Sequence, residues 1–148
     1  MKTLFGIALL IASFLASSQL CPAATDSFGI VKSVSGEVLI SSSQSTIHAV
    51  PNMKVVQGNS IKTGAKSSVG LIFEDDTVVA LGPNSEITIE SYMFNPVEQE
   101  LSFIARLAKG TFSFITGQIA KLAPQNVKFE TPDATLGVRG TKLLVEID

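Results

Sequence analysis

The 148-residue sequence predicts a small all-β domain that follows an N-terminal signal peptide. Apolar and polar residues alternate over short runs, and glycine, proline or asparagine interrupts the chain about every ten residues. No later segment sustains the 3.6-residue period of an amphipathic helix. Because 45% of the residues are hydrophobic, the chain can build a packed core. Two architectures fit a single domain of this kind, a short-stranded β-solenoid-like domain and a twisted β-sandwich.

The first 23 residues have the order of a secretory signal peptide. Lys2 supplies a positive charge, residues 4–15 form an apolar run, and Ala23 lies at the expected cleavage point. The run is too short to span a bilayer, which needs about 20 apolar residues. We therefore predict a signal peptide over residues 1–23 and an all-β domain over residues 24–148, located in the periplasm or secreted.

Cys21, the one cysteine, lies within this leader. A lipid anchor on Cys21 is the less favoured alternative, because Leu20 stands where a lipidation motif has a small residue. Cleavage near Ala23 removes the cysteine, so the exported domain would have no disulfide. Such a domain is expected to rely on its core alone.

The first half of the domain predicts a series of short strands joined by tight turns. The predicted strands cover residues 30–40, divided by a turn at Ser35-Gly36, and then 46–50, 55–63, 68–74, 77–81 and 86–90. Asp75-Asp76 marks a hairpin between two of these strands. From residue 86 onward charged residues alternate with isoleucines, which indicates a half-buried strand.

The second half predicts further strands and one short helical turn. Residues 92–96 are expected to connect two strands. Apolar residues share one face over residues 101–107 and resume with opposite parity at Phe112, so a turn or bulge is expected at Lys109-Gly110. The remaining predicted elements are a helical turn over residues 119–123 and strands over residues 127–131 and 143–147.

Two stretches carry the most specific pattern in the chain. Residues 56–64 read VQGNSIKTG, with LGPNS following at residues 81–85, and residues 131–141 read TPDATLGVRGT. Together with GEV at residues 36–38, they resemble the FecR-type domain over about residues 31–145. The GVRGT core is the most specific part of this resemblance.

Two turns depart from the family pattern. Asp75-Asp76 stands where the family usually has Asp-Gly, and Gly58-Asn59 stands where it often has Gly-Asp. Asp and Asn adopt left-handed backbone angles more readily than most residues. Both turns are therefore expected to form.

The resemblance implies an all-β, solenoid-like fold in the periplasm. In the best-known members this domain receives a signal from an outer-membrane transporter and passes it through a membrane helix to a cytoplasmic anti-sigma segment. Neither of those two segments is recognisable in this sequence. The resemblance therefore implies the fold and the compartment, and anti-sigma signalling is not carried over.

Charge and composition argue against several classes of partner. The formal net charge is −2 and no basic cluster or stripe occurs, which argues against nucleic acid. The same low charge argues against electrostatic docking to an anionic membrane. No stretch of the domain is long and apolar enough for a transmembrane segment.

No catalytic or metal-binding set is recognisable. His48 is the one histidine, and it is expected at the surface because no nucleophile or orienting partner accompanies it. The adjacent carboxylates at 74–76 are expected to form a solvated turn, because calcium usually takes six to eight spaced oxygens. We expect no catalytic, cofactor or metal site.

Arg139 is the candidate site residue, since it is the lone charge within residues 134–141. One hypothesis makes it a structural lock that pairs with Glu130 or Asp133 and bonds loop carbonyls. The other makes it a guanidinium that contacts a partner. The flanking glycines are expected to serve special backbone angles or close packing.

The sequence favours an exported, non-enzymatic binding or interaction domain of the bacterial cell envelope, acting on an unknown envelope protein or ligand. A structural envelope or surface component, assembled through sheet edges, is the alternative. A wall-active hydrolase is less favoured, because such an enzyme needs convergent His, Asp or Glu residues in a cleft.

Overall fold

The computed structural model describes residues 26–148. The predicted signal peptide and Cys21 lie outside these residues. Strands make up 56% of the described residues and helices 7%, so the all-β class is confirmed. The strands form one curled, mainly antiparallel sheet with the shape of a half-barrel. No helix between residues 26 and 148 has the length and apolar character needed to cross a membrane.

The sheet is built from short strands, with one exception. In chain order the elements are β1 (Gly29–Ser35), β2 (Val38–Ser41), β3 (Thr46–His48), β4 (Lys54–Val55), β5 (Ser60–Thr63), β6 (Ser68–Phe73), β7 (Val78–Leu81), β8 (Glu86–Asn95), β9 (Glu100–Ile115), α1 (Gln118–Leu122), a 3₁₀ helix (Pro124–Asn126), β10 (Val127–Glu130), β11 (Thr135–Gly137) and β12 (Lys142–Ile147). The strand order is β3-β2-β5-β8-β9-β7-β6-β1-β4. Strands β10 and β12 also pair with β9, and β11 pairs with β10.

The long strand β9 joins the two halves of the sheet. Its first part pairs with β8 and, in parallel, with β10, whereas its last residues pair with β7 and β12. The register against β8 skips one residue at Ala108, and Gly110 has a φ of +102°. Leu107 and Phe112 are therefore both buried although their positions differ by five, an odd number that would place them on opposite faces of a regular strand. This bulge confirms the predicted change of parity.

The predicted hairpin about Asp75-Asp76 is confirmed. Strands β6 and β7 pair antiparallel, with Ile72 opposite Val78. Asp76 adopts a φ of +67°, so it takes the left-handed angle for which the family usually has glycine. In the other turn that differs from the family pattern, Gly58-Asn59, Gly58 also has a left-handed φ, of +87°.

Two local predictions are wrong. Residues 92–96 do not form a connection, because β8 continues to Asn95 and buries the Tyr92 ring. The turn to β9 follows at residues 96–99, with Gln99 at a φ of +59°. Strand β11 was not predicted, because its three residues have no fully buried face and so show no alternation.

Aromatic side chains fill the core on both sides of the β9 bulge. Phe114 stacks on Phe129 with ring centroids 3.9 Å apart, and Phe129 packs edge-on against Phe103 at 5.8 Å. Phe103 in turn packs edge-on against Phe73 at 5.1 Å. This chain of rings links the strands and supports the base of the β6–β7 hairpin.

Candidate functional site

One enclosed polar cluster surrounds Asp75, whose side chain is 0% exposed. Its Oδ1 accepts hydrogen bonds from the Tyr92 hydroxyl at 3.0 Å and the Thr77 N–H at 3.3 Å. Its Oδ2 accepts from the Thr77 hydroxyl at 2.7 Å and the Ile119 N–H at 3.2 Å. The expectation of a solvated turn is therefore wrong for Asp75. Asp75, Thr77, Tyr92, Gly117 and Ile119 are called the Asp75 cluster below.

The segment that follows β9 folds back over the hairpin tip and excludes water from Asp75. The Gln118 N–H donates to the Asp75 carbonyl oxygen at 2.7 Å, and the Gly117 N–H donates to the Thr77 hydroxyl at 3.2 Å. A Cβ at Gly117 would collide with the Asp75 carbonyl oxygen. The φ of Gly117 is −98°, outside the left-handed region, and the close approach is what requires glycine here.

Tyr92 completes the cluster from β8 and is the one tyrosine of the chain. Its ring stacks on Phe28 and Phe73, with centroids 4.5 and 5.5 Å away. Its hydroxyl also accepts a hydrogen bond from the Asp75 N–H at 3.0 Å. Burial, and then the negative charge of Asp75, raise the pKa of Tyr92 far above its ordinary value. The phenol therefore remains a donor to the carboxylate.

The chemistry open to the Asp75 cluster is limited by its enclosure. A carboxylate, a phenol and a hydroxyl meet there, but Tyr92 is 7% exposed and Thr77 6%. Every buried side-chain nitrogen or oxygen within residues 26–148 has a hydrogen-bond partner. A carboxylate with four donors and no access to solvent anchors a fold. We assign the cluster this structural role.

The other carboxylates of the turn and His48 lie at the surface. Glu74 and Asp76 are exposed, and Asp76 Oδ2 accepts a hydrogen bond from the Gln118 amide at 3.2 Å. His48 is exposed on strand β3, opposite Leu39, as predicted. Over the part of the chain that the structure describes, no group of three His, Cys, Asp or Glu residues is arranged to hold a metal ion.

Arg139 is exposed and lies in the segment that joins β11 to β12. Residues 137–141, beginning with the last residue of β11, are called the Arg139 loop below. Among residues 26–148 Arg139 forms no ion pair within 4.0 Å. Glu130, one of its expected partners, instead pairs with Arg106 at 3.6 Å, and Arg106 also pairs with Glu90 at 2.8 Å. The carboxylate contacts expected of a structural lock are thus absent from the described residues.

The Arg139 loop is held by a different side chain. The Thr116 hydroxyl donates to the carbonyl oxygens of Gly140 at 2.9 Å and Thr141 at 3.2 Å. Its N–H donates to the Thr141 carbonyl oxygen at 2.9 Å. Gly140 has a φ of +99°, which confirms that this glycine serves a special backbone angle. Thr116, which sequence reasoning missed, therefore fixes the loop.

The surface beside Arg139 is partly apolar. A shallow depression is lined by Arg139 together with Pro124, Gln125, Gly137, Val138 and Leu143. Val138 is 5% exposed and packs into the core, while Leu143 is half-buried at its edge. The arrangement places a cation at the rim of an apolar hollow, which can recognise an anionic group carried on an apolar body.

The described residues define a small all-β domain with a sealed polar cluster and, beside it, an exposed arginine loop, since Thr116 holds the loop and the next residue, Gly117, belongs to the cluster. A family model described as FecR protein matches residues 59–148, more than half of the chain. The chain belongs to the FecR family, and the resemblance stated from the sequence is confirmed. The match includes both the Asp75 cluster and the Arg139 loop. Searches of curated proteins and of solved structures give no significant match.

Proposed function

We propose that this chain is an exported, non-enzymatic binding domain of the bacterial cell envelope, and that its partner contacts Arg139. The observation that supports this is the state of the guanidinium, which is exposed and forms no ion pair with residues 26–148. A cation without an ion-pair partner among the described residues can bind an anionic group of a ligand. The Arg106 side chain, by contrast, already pairs with two carboxylates.

The loop that carries Arg139 favours binding because it is ordered in advance. Thr116 fixes the carbonyl groups of Gly140 and Thr141, so less conformational entropy is lost when a partner binds. A guanidinium recognises a carboxylate or phosphate through two parallel hydrogen bonds. We therefore expect the partner to present such a group beside an apolar surface.

The envelope location is supported by the family and by the leader pattern. FecR-type domains are generally periplasmic, and residues 1–23 have the order of a signal peptide. Mass spectrometry of the cell-associated protein should find a mature N-terminus at Ala24 or Thr25. An intact Met1 on the protein at its final location would contradict export.

Partner capture tests the binding role directly. Tagged wild-type protein, Arg139→Ala and Arg139→Lys would each be used in a pull-down from native envelope extract, with mass spectrometry. We expect a specific envelope partner to be lost with Arg139→Ala and weakened with Arg139→Lys, because lysine lacks the planar fork. Lys32→Ala, which removes an exposed cation from β1, is the matched control and should capture normally. Equal capture by all four proteins would contradict the proposal.

The non-enzymatic part of the proposal has its own test. His48 has no nucleophile or acid set beside it in the sequence or at its place on β3, so His48→Ala should leave partner capture unchanged. A hydrolase screen of the purified protein against envelope polymers should give no turnover. Turnover that His48→Ala or another exposed-residue variant abolishes would replace binding with catalysis.

A structural envelope component is the second candidate function, and one observation favours it. The outer edge of β12 pairs with no strand of residues 26–148. Exposed edges are the route by which sheets assemble with one another.

A further inference from the structure

Within residues 26–148, strand β12 is an edge strand that is paired on one side. It pairs with β9 from Lys142 to Ile147, and no strand within residues 26–148 pairs with its other side. Its six residues extend about 20 Å. Such an edge presents unpaired N–H and C=O groups and is a template for another strand. What can pair with it depends on which groups face outward.

The hydrogen bonds to β9 fix the outward groups. The Thr116 N–H donates to the Thr141 carbonyl oxygen, so the polar backbone groups of Thr141 point toward β9. These groups point alternately to opposite sides of a strand. The residues that turn their N–H and C=O groups toward the free edge are therefore Lys142, Leu144 and Glu146.

The same three residues share the solvent-facing side of the sheet. All three are exposed, whereas the residues between them are half-buried against the core. Leu144 is 68% exposed. Along this face the strand reads cation, leucine, anion at every second position, and this order is self-complementary in an antiparallel pair.

The register follows from the charges. In an antiparallel pair of two β12 strands centred on Leu144, Lys142 of each copy lies opposite Glu146 of the other, and the two leucines meet at the centre. All outward-facing residues then lie opposite outward-facing residues, as a hydrogen-bonded ladder requires. A shift of two residues in one direction would place Lys142 opposite Leu144 and lose both charge pairs. The opposite shift would place Glu146 opposite Leu144, and Lys142 would then face Asp148, which lies beyond the end of β12.

We propose that β12 pairs antiparallel with β12 of a second copy of this chain, forming a two-fold dimer whose sheet is continuous across the interface. The contact is isologous, since the same patch serves both copies. Two Lys142–Glu146 pairs set its register, and opposite charges placed directly across a ladder are favourable. The interface is small, so the dimer is expected to dissociate on dilution and to weaken with salt.

Charge reversal tests the pairing with the protein purified after expression of the full chain. Sedimentation velocity over a range of protein concentrations should show a monomer–dimer equilibrium for the wild type. Lys142→Glu and Glu146→Lys should each weaken dimerisation by roughly tenfold or more, because each places like charges opposite one another. Lys32→Glu on β1 is the matched control and should leave the equilibrium unchanged. Circular dichroism should show the same β signal for all variants.

Two recombinations make the test specific for this register. An equimolar mixture of Lys142→Glu and Glu146→Lys proteins restores opposite charges at both positions, so the mixture should dimerise more tightly than either protein alone. The double variant K142E/E146K should also dimerise. A wild type that stays monomeric at the highest concentration overturns the proposal. A dimer that both single variants leave intact, or that the mixture fails to restore, also overturns it.

Discussion

The Asp75 cluster and the Arg139 loop differ in the burial and hydrogen bonding of their charged side chains. Asp75 is fully buried, and four donors from three separate parts of the chain reach its carboxylate. Arg139 is exposed and has no ion pair among residues 26–148. Both residues lie in turns, Asp75 between two other carboxylates and Arg139 as the one charge of residues 134–141. We assign the first a structural role, and we propose a partner contact for the second.

The comparison also separates two uses of glycine. Gly117 is packed so closely that any side chain would collide with the Asp75 backbone, whereas nothing lies within 4 Å of a Cβ at Gly137. A glycine required by packing indicates a structural site. A glycine with open space around it, in a motif that is otherwise exposed, is consistent with a surface that another molecule approaches.

The largest effect is expected for Asp75→Ala. It leaves the Tyr92 and Thr77 hydroxyls and two backbone N–H groups buried without their acceptor. We expect the free energy of unfolding to fall by about 3 kcal/mol or more. Urea denaturation measures the change, and Glu74→Ala, one residue away but exposed, should stay within about 0.5 kcal/mol of wild type. Similar midpoints for the two variants would contradict the assigned role.

Gly117→Ala should have the next largest effect. Its methyl group would collide with backbone atoms of Asp75 and Thr77, so the segment over the hairpin must shift. We expect a loss of about 1–3 kcal/mol in the free energy of unfolding. Gly137→Ala is the matched control in the Arg139 loop and should change it by no more than about 0.5 kcal/mol. The reverse order of these two variants would show that the loop is the structural site.

Alkaline pH should lower the free energy of unfolding, because the buried Tyr92 hydroxyl resists ionisation in the folded state. Folding raises the pKa of Tyr92 above its ordinary value of 10.0, chiefly through burial. Above that pH the unfolded state releases a proton that the folded state retains, so stability falls as pH rises. Absorbance at 295 nm should show phenolate forming only as the β signal is lost. Tyr92→Phe should lack this part of the pH dependence, and phenolate at pH 10 in folded protein would contradict it.

Arg139→Ala should have the smallest effect on stability. The guanidinium makes no ion pair with the described residues, and Thr116 holds the loop without it. We expect a change within about 0.5 kcal/mol, as for other surface substitutions. A urea midpoint that drops as far as for Gly117→Ala would return Arg139 to the role of a structural lock.

Much of the fold could be predicted because alternation and turn residues are local signals. The hairpin at Asp75-Asp76 and the bulge before Phe112 could both be predicted from the sequence. The alternation of apolar and polar residues, and the point where it changes face, depend only on neighbouring residues. The extension of β8 to Asn95 was not, because the burial of Tyr92 depends on Phe28 and Phe73 from distant strands.

The site was harder to predict than the fold, because it depends on contacts between distant segments. Asp75 looks like a surface turn residue until the segment after β9, more than forty positions later, covers it. Thr116 likewise reaches the Arg139 loop across 24 residues. The GVRGT motif drew attention to the Arg139 loop, but the sequence alone could not show that Thr116 fixes it.

Native-state hydrogen exchange tests most directly whether the Asp75 cluster is the stable region and the neighbouring Arg139 loop the accessible one. The N–H groups of Thr77, Gly117 and Ile119 are bonded within the Asp75 cluster, whereas no hydrogen bond within residues 26–148 is donated by the N–H groups of residues 138–140. We expect the cluster amides to exchange only through global unfolding and the loop amides to exchange far faster. Equal protection of the two regions, or faster exchange in the Asp75 cluster, would contradict this division.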